Sequence, residues 1–520
     1  EVKNIDTNKF CELMKFSKEE FISKLERAKQ YSPYVASAFE NQISKKDYAI
    51  MQEVIHLFKG FYFKMRTIRK YIKPVAVHAI GYIGEVTQTE IEKDNYYKPG
   101  DFIGITGIEK YYEKILRGEK GIKIRLVDNF NRDKGSYQNG RYDKAPVSGI
   151  NLYTTLDIYL QEYAEKLLDG KRGSLVAIEP STGEILAIVS VPSYDPNLLV
   201  GRERTKNYKY LVIDNKKPLF NRALMSKYPP GSTFKLVNAL IGLQENVVNV
   251  NTTYGCSRGF YIGGLKVGCH EHPTPLNLIG SIQNSCNAYY CNVFNTIINN
   301  RKFKNTREGF INWRNHVMSF GFGNQLGIDL PNEGKGYIPT PEYYDKYYRN
   351  QWNWVTIISL SIGQGEIGVT PLQLANLTAI IANKGYYYEP HIVKYFGIKS
   401  NQKEKLHIKH TTSINPKYFD PVIEGMYQAV ENGTATYGKI NGINICGKTG
   451  TAQNPHGKDH SLFICFAPKE NPKIAISVVV ENAGFGATWA VPIASLLIEK
   501  YLTDTIKRPE LEERILGPVK

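Results

Sequence analysis

Apolar residues recur at helical spacing at Leu160, Tyr163, Ala164, Leu167 and Leu168, which predicts an amphipathic helix over residues 156–168. Residues 174–179 and 185–191 are apolar and rich in β-branched side chains. Pro180-Ser181-Thr182-Gly183 lies between them with the chemistry of a turn, so the pair reads as a hairpin. Near the C-terminus, 443–453, 462–466 and 474–480 give three more strands, and a helix follows around 493–501. Helices fill the middle. Two early strands, three late ones and helices between predict one mixed sheet sandwiched by helices, with an inserted helical lobe, an α/β architecture.

The first part of the chain is patterned differently. Residues 17–45 read as a charged helix, and 58–73 alternate bulky and basic side chains as a half-exposed strand or an amphipathic helix would. Between Asp128 and Val147 the sequence turns polar and loses apolar periodicity, which places a domain boundary at its end. The expected organisation is thus 1–147, 148–507 and a short tail, 508–520. No internal repeat or low-complexity tract interrupts it.

A length of 520 residues suits two domains, and 42% hydrophobic with 22% charged residues is the balance of a folded globular chain. No run of eighteen apolar residues occurs, so no membrane-spanning helix is expected. The chain begins at Glu1, with neither a signal peptide nor an apolar anchor before the first charged helix, and reads as a trimmed or processed product. The net charge of +16 favours an anionic partner: nucleic acid, acidic lipid or a carboxylate-rich polymer. Charge alone does not choose among them. Seven cysteines, several of them between Cys256 and Cys291, fit metal or redox chemistry better than a disulfide scaffold.

Tyr228-Pro229-Pro230-Gly231-Ser232-Thr233-Phe234-Lys235 carries the clearest chemistry. Two prolines and a glycine end an extended segment, and Phe234, Val237, Leu240 and Ile241 begin a helix directly afterwards. Ser232 then lies in the first turn, with Lys235 on the same face. A serine hydroxyl needs a base, and a lysine serves as one when burial or a nearby cation keeps its amine neutral. First-turn N–H groups also favour developing negative charge. Alone, the pair equally describes a capping serine beside a solvated lysine, and Ser-x-x-Lys recurs without meaning at Ser400–Lys403.

Two further motifs decide the reading. Ser285-Cys286-Asn287 follows Ser232, and Lys448-Thr449-Gly450 lies on a predicted strand. Ser-x-Asn recurs at Ser413–Asn415, whereas Lys-Thr-Gly occurs once. On a strand, Lys448 and Thr449 face opposite ways, and Gly450 leaves the backbone bare for a substrate peptide to pair along it.

In this order and context the three motifs resemble the signature of penicillin-binding proteins and serine β-lactamases. Further segments are similar to class B penicillin-binding proteins of the elongation machinery. They are Gly100-Asp101 through Gly104, Gly107-Ile108-Glu109, Leu116-Arg117-Gly118, Thr154-Thr155-Leu156-Asp157, Asn221-Arg222, Gly363-Gln364-Gly365 and Thr370-Pro371-Leu372-Gln373. Two departures stand out. Leu462 replaces the family's Trp two residues after His460, and the N-terminal Arg-Gly and Asp-Arg-Asn-Gly segments are absent, as trimming would cause.

The resemblance implies a peptidoglycan D,D-transpeptidase in which Ser232 is acylated and Lys235 is its base. Ser285 and Asn287 would relay protons and hold the substrate amide. Lys448 and Thr449 would bind the terminal carboxylate beside Gly450, and the N–H groups of Ser232 and Thr451 would form the oxyanion hole. It implies an α+β N-terminal pedestal of the dimerisation type over 1–147, and a membrane anchor on the periplasmic side of the inner membrane that this chain lacks. The implied partners are stem peptides, β-lactams, a SEDS-family glycosyltransferase and elongation-complex proteins, with no nucleic acid and no cofactor for catalysis. A carboxypeptidase or β-lactamase would pass the acyl group to water, and a sensor would keep it. The pedestal argues against a β-lactamase.

Cys256, Cys269 and His272 form a C-x12-C-x2-H array, and Cys286 sits inside the second motif. Such residues suit a tetrahedral Zn2+ site; a Cys256–Cys269 disulfide or buried thiols stand equal to it on spacing. His270 competes with His272 as ligand. Some members of the family carry a metal beside the active site, and that resemblance favours structural zinc.

Overall fold

The computed structural model describes residues 5–31, 37–40, 43–65, 69–129, 133–397, 403–404 and 408–519. The chain divides into two compact units, one of Glu1–Asn151 with Tyr194–Asn215, the other of Leu152–Ser193 with Lys216–Lys520.

The first unit has its own aromatic core. Helices Thr7–Met14, Lys18–Tyr31 and Lys45–Val54 belong to a cluster in which Phe10, Phe21 and Phe58 are buried and Phe39 and Phe61 pack around them. Asp6 caps the first helix by accepting from the Lys9 N–H, and Ser44 caps the third by accepting from Asp47. Of the single charged helix expected over 17–45, the helix Lys18–Tyr31 forms, and the next helix begins only at Lys45. The helix Lys18–Tyr31 ends two residues before Pro33, a residue that lacks the N–H a helix interior requires. Among the described residues of 58–73 no strand or helix forms; Phe58, Phe61 and Phe63 pack irregularly against the aromatic cluster, and residues 66–68 lie outside the described set. Two small antiparallel pairs, Ile83–Glu85 with Phe102–Gly104 and Arg125–Val127 with Asp133–Ser136, give this unit its α+β character.

In the second unit, helix α1 (Ile158–Leu168) is capped by Asp157 and leads into strands β1 (Gly173–Ile178) and β2 (Ile185–Val191). The helical lobe contains α2 (Lys235–Gln244), the hairpin β3 (Gly259–Ile262) and β4 (Leu265–Gly268), α3 (Asn287–Ile298), α4 (Pro341–Tyr347), α5 (Pro371–Ala382) and α6 (Phe419–Asn432). The chain then returns as β5 (Cys446–Ala452), β6 (His460–Ala467) and β7 (Ile474–Val480) before α7 (Ala490–Thr503) and α8 (Pro509–Leu516).

The five long strands form one sheet in the order β5-β6-β7-β1-β2. Every neighbouring pair is antiparallel, so the strands do not mix directions as expected. The reason is connectivity: β1–β2, β5–β6 and β6–β7 are joined by short turns, and β7 meets β1 with reversed direction. Ile474, Ile476, Val478 and Val480 face a core shared with Leu160, Leu167, Ile493 and Leu497 of α1 and α7. On the opposite face the Ser477 hydroxyl donates to the Pro371 carbonyl of α5 at 2.7 Å. Helices thus cover both faces, which is why the strands read as nearly continuous apolar runs. Residues 508–519, expected as a tail, include α8, whose Ile515 is buried in the same core.

Candidate active site

The segment before Ser232 is fixed from several sides. Tyr228 pairs with Val369 in an antiparallel bridge, and its hydroxyl donates to Glu481 at 2.7 Å. The same carboxylate receives Arg172 at 2.6 Å and the fully buried Arg222 at 3.2 Å. Gly231 follows the two prolines with φ +54°, and a Cβ there would lie 2.5 Å from the Thr451 carbonyl oxygen. Gly231–Phe234 form a 3-10 turn, and α2 begins at Lys235, so the serine stands in a tight turn leading into the helix rather than in α-helical geometry. Ser232 is partly exposed, while Gly231, Thr233, Phe234 and Lys235 are buried.

The Lys235 ammonium joins the first motif to the second. Its Nζ donates to the Ser285 carbonyl at 2.7 Å, to Ser285 Oγ at 3.2 Å, and to Asn287 Oδ1. Burial pulls its pKa from the usual lysine range down to about 8, against a smaller upward pull from nearby Cys269, Cys286 and Cys291. Ser285 sits in the left-handed region at φ 51°, which turns the chain out of the helix Leu278–Gln283 and into α3. The Cys286 sulfur caps α3, accepting from the Tyr289 N–H at 3.4 Å. Asn287 Nδ2 donates to the Gly268 carbonyl of β4 at 2.7 Å.

The third motif lies on β5, the terminal strand of the sheet. Lys448 is buried and half-exposed Thr449 faces the other way, meeting Thr434 hydroxyl to hydroxyl at 2.9 Å. Burial, reinforced by the charge of Lys235, holds the Lys448 pKa well below the lysine range. A Cβ at Gly450 would lie 2.9 Å from Thr233 Cγ2 and 3.2 Å from the Pro230 carbonyl, so this strand rests directly on the nucleophile turn. The segment Gly363-Gln364 clamps both: the Gly231 N–H donates to the Gly363 carbonyl at 2.8 Å, and Gln364 Nε2 donates to the Thr451 carbonyl at 2.9 Å. Leu462 is buried opposite Gly450 in the β5–β6 register.

Beside this cleft the ligand atoms of Cys256, Cys269, His272 and Cys286 all lie within 4.8 Å of one another. Cys269 Sγ is 3.3 Å from His272 Nε2, and His272 Nδ1 lies 2.7 Å from the Pro273 carbonyl, the outer hydrogen bond that orients a ligating imidazole. All seven cysteines are free thiols, Cys256 and Cys269 included. Three thiols and an imidazole converging at this spacing fit a tetrahedral zinc ion. Hydrogen bonds from Cys286 and the Asn287 N–H hold the Cys269 thiol far below the usual thiol range. His270 stands outside the four, its ring 5.5 Å from that of His272, and buried Cys291 instead meets Ser361.

Every residue singled out in the three motifs lies in this region of the second unit. The hydrogen-bonding roles of Thr434, Gly268 and Gln364 were not foreseen, since each depends on a tertiary neighbour distant in sequence; only the Gly-Gln-Gly pattern marked one of them. Ser413 instead pairs with His316 and Ser319, and Ser400 lies outside the described residues.

Residues 173–499 match the penicillin binding protein transpeptidase domain, and residues 1–154 match the penicillin-binding protein dimerisation domain. The peptidoglycan D,D-transpeptidase MrdA of Acinetobacter baumannii is 32% identical over 98% of this chain and 77% of its own length. The enzyme of the same name from Escherichia coli K12 is 32% identical over 79% of this chain and 67% of its own. Among solved structures, Pseudomonas aeruginosa PBP2 in complex with WCK 5153 has a TM-score of 0.70 at 32% identity, covering 84% of this chain and 91% of that one. Helicobacter pylori PBP2 in complex with MreC has a TM-score of 0.82 at 25% identity, covering 96% and 92%. With the three motifs assembled on this fold, the chain belongs to the class B penicillin-binding proteins, in the penicillin-binding protein 2 branch.

Proposed function

We propose that this chain is a peptidoglycan D,D-transpeptidase acting through a Ser232 acyl-enzyme. The observation that carries the reading is the buried Lys235 amine, bound by both polar residues of the second motif and held near pKa 8. When neutral, it keeps two N–H bonds to the Ser285 carbonyl and Asn287 Oδ1 and has a lone pair left for the Ser232 proton. Ser232 Oγ then attacks the penultimate D-Ala carbonyl, and the backbone N–H groups of Ser232 and Thr451 stabilise the oxyanion. Lys448 and Thr449 hold the terminal carboxylate while the peptide lies along Gly450. Ser285 passes the proton to the departing D-Ala amine, and an amine of a neighbouring stem takes the acyl group.

Cys256, Cys269, His272 and Cys286 would hold zinc, which would supply a fixed scaffold rather than chemistry. By gripping Cys286 it would set Ser285 and Asn287 against Lys235. Residues 1–147 act as a non-catalytic pedestal that meets elongation-machinery proteins, including a SEDS-family glycosyltransferase, at the periplasmic face of the inner membrane. Support comes from the match to the dimerisation domain and from the relative solved with MreC.

Mass spectrometry after penicillin treatment tests the proposal. One adduct on Ser232, absent from Ser232→Ala, is the expected result; an adduct elsewhere overturns it. Turnover of a D-Ala-D-Ala stem should yield more cross-linked than hydrolysed product when an acceptor amine is present.

A further inference from the structure

A tyrosine-rich surface lies one loop away from the nucleophile. On α4, Tyr343 and Tyr347 stack at 5.2 Å with 28° between their rings, and Tyr337 meets Tyr343 edge-on at 6.2 Å. Tyr347 is 71% exposed, and Tyr337 and Tyr348 are 38% and 39% exposed, so the outer side of this ring cluster reaches solvent. Tyr344, buried beneath them, anchors the helix by donating to Glu366 at 2.8 Å.

The loop that carries Glu366 joins this surface to the active site. Tyr337 exchanges backbone hydrogen bonds of 2.6 and 3.0 Å with Gly368. The next residue, Val369, bridges to Tyr228, and Gly363 at the loop's start accepts from the Gly231 N–H. A pentapeptide stem spans at most about 17 Å when extended. Given the reading of Ser232 above, a sugar strand whose stem occupies the cleft must pass within that reach.

We propose that Tyr337, Tyr343, Tyr347 and Tyr348 form a stacking platform for the glycan strand that bears the stem peptide. N-acetylhexosamine rings present axial C–H faces that stack on aromatic rings, and exposed Lys346 and Arg349 beside the platform suit the carboxylates such a polymer carries. The platform holds the polymer while the cleft reads the peptide.

Co-sedimentation with chitin, an insoluble polymer of N-acetylglucosamine that bears no peptide, tests the platform without any acyl transfer. The full chain should sediment, Tyr343→Ala/Tyr347→Ala should lose at least fivefold, and Tyr347→Phe, which keeps the ring, should match wild type. Penicillin labelling of Ser232 should be equal in all three, which shows that the fold is intact. Failure of the wild-type chain to sediment, or undiminished sedimentation of the double alanine variant, overturns the platform. Absence of labelling in wild type would instead overturn the transpeptidase reading.

Discussion

Lys235 Nζ donates to the Ser285 backbone carbonyl at 2.7 Å, so the lysine one turn beyond the nucleophile is held by main chain as well as by side chains. A main-chain acceptor survives any substitution at position 285, which makes the position of this amine insensitive to the identity of that side chain. Ser285→Ala should therefore retain a Lys235 pKa close to the native one and lose the proton relay, lowering acylation by about 10²–10³-fold. Stopped-flow penicillin acylation against pH checks both parts.

The pH dependence has a defined sign. Burial lowers the Lys235 pKa to about 8, and the neutral amine is the base, so acylation should rise tenfold per pH unit below 8 and level off above it. Stability follows the same direction: the unfolded chain binds this proton up to the ordinary lysine range while the folded chain releases it near 8. Lys235 therefore opposes folding below pH 8, and that penalty is relieved between pH 8 and the ordinary lysine range. A flat acylation profile from pH 6 to 9 would contradict the assignment.

Glu481 neutralises Arg222, whose side chain is wholly buried, and also accepts from Tyr228. Glu481→Ala should leave a buried guanidinium without its carboxylate and cost about 3–5 kcal/mol. Tyr228→Phe removes one hydrogen bond to a charged group and should cost about 1.5–3 kcal/mol. Urea unfolding of the two variants gives this ranking directly.

Cys256→Ser should lose bound zinc, lower the thermal midpoint and slow acylation together, because Cys286, the ligand shared with Cys256, Cys269 and His272, lies between Ser285 and Asn287. Elemental analysis of protein purified without chelator supplies the reference. Less than stoichiometric zinc in the native chain would remove the metal from the account.

Much of this arrangement could be read from the sequence. The hairpin β1–β2 and the strands β6 and β7 were legible because they are apolar, largely β-branched runs, whereas β5, Cys446–Ala452, carries two glycines and a lysine and was legible chiefly as the place of the Lys-Thr-Gly motif. The strand directions were not, since a buried antiparallel sheet covered on both faces has the same continuous apolar pattern as a parallel one. The motif residues were legible through their order along the chain. Thr434 and Gly268 were not, because a hydroxyl or a carbonyl gains its role from what folds against it. The helix boundary at Tyr31 was marked by Pro33, a signal that the reading of one helix over 17–45 passed over. Nothing in the polar segment 128–147 signalled that Tyr194–Asn215 would cluster with the first unit.

The contact of Gly231 with Thr451, and that of Gly450 with Thr233 and Pro230, is main chain against its neighbours, with no room for a side chain at either glycine. A lineage under selection by β-lactams therefore has little freedom at these positions, since a methyl group would separate the nucleophile from the strand that aligns its substrate. Escape has to come from side chains rather than from this main-chain seam, at partly exposed positions such as Thr449. Inhibitors whose affinity rests on the seam's backbone would leave such a lineage the fewest routes to resistance.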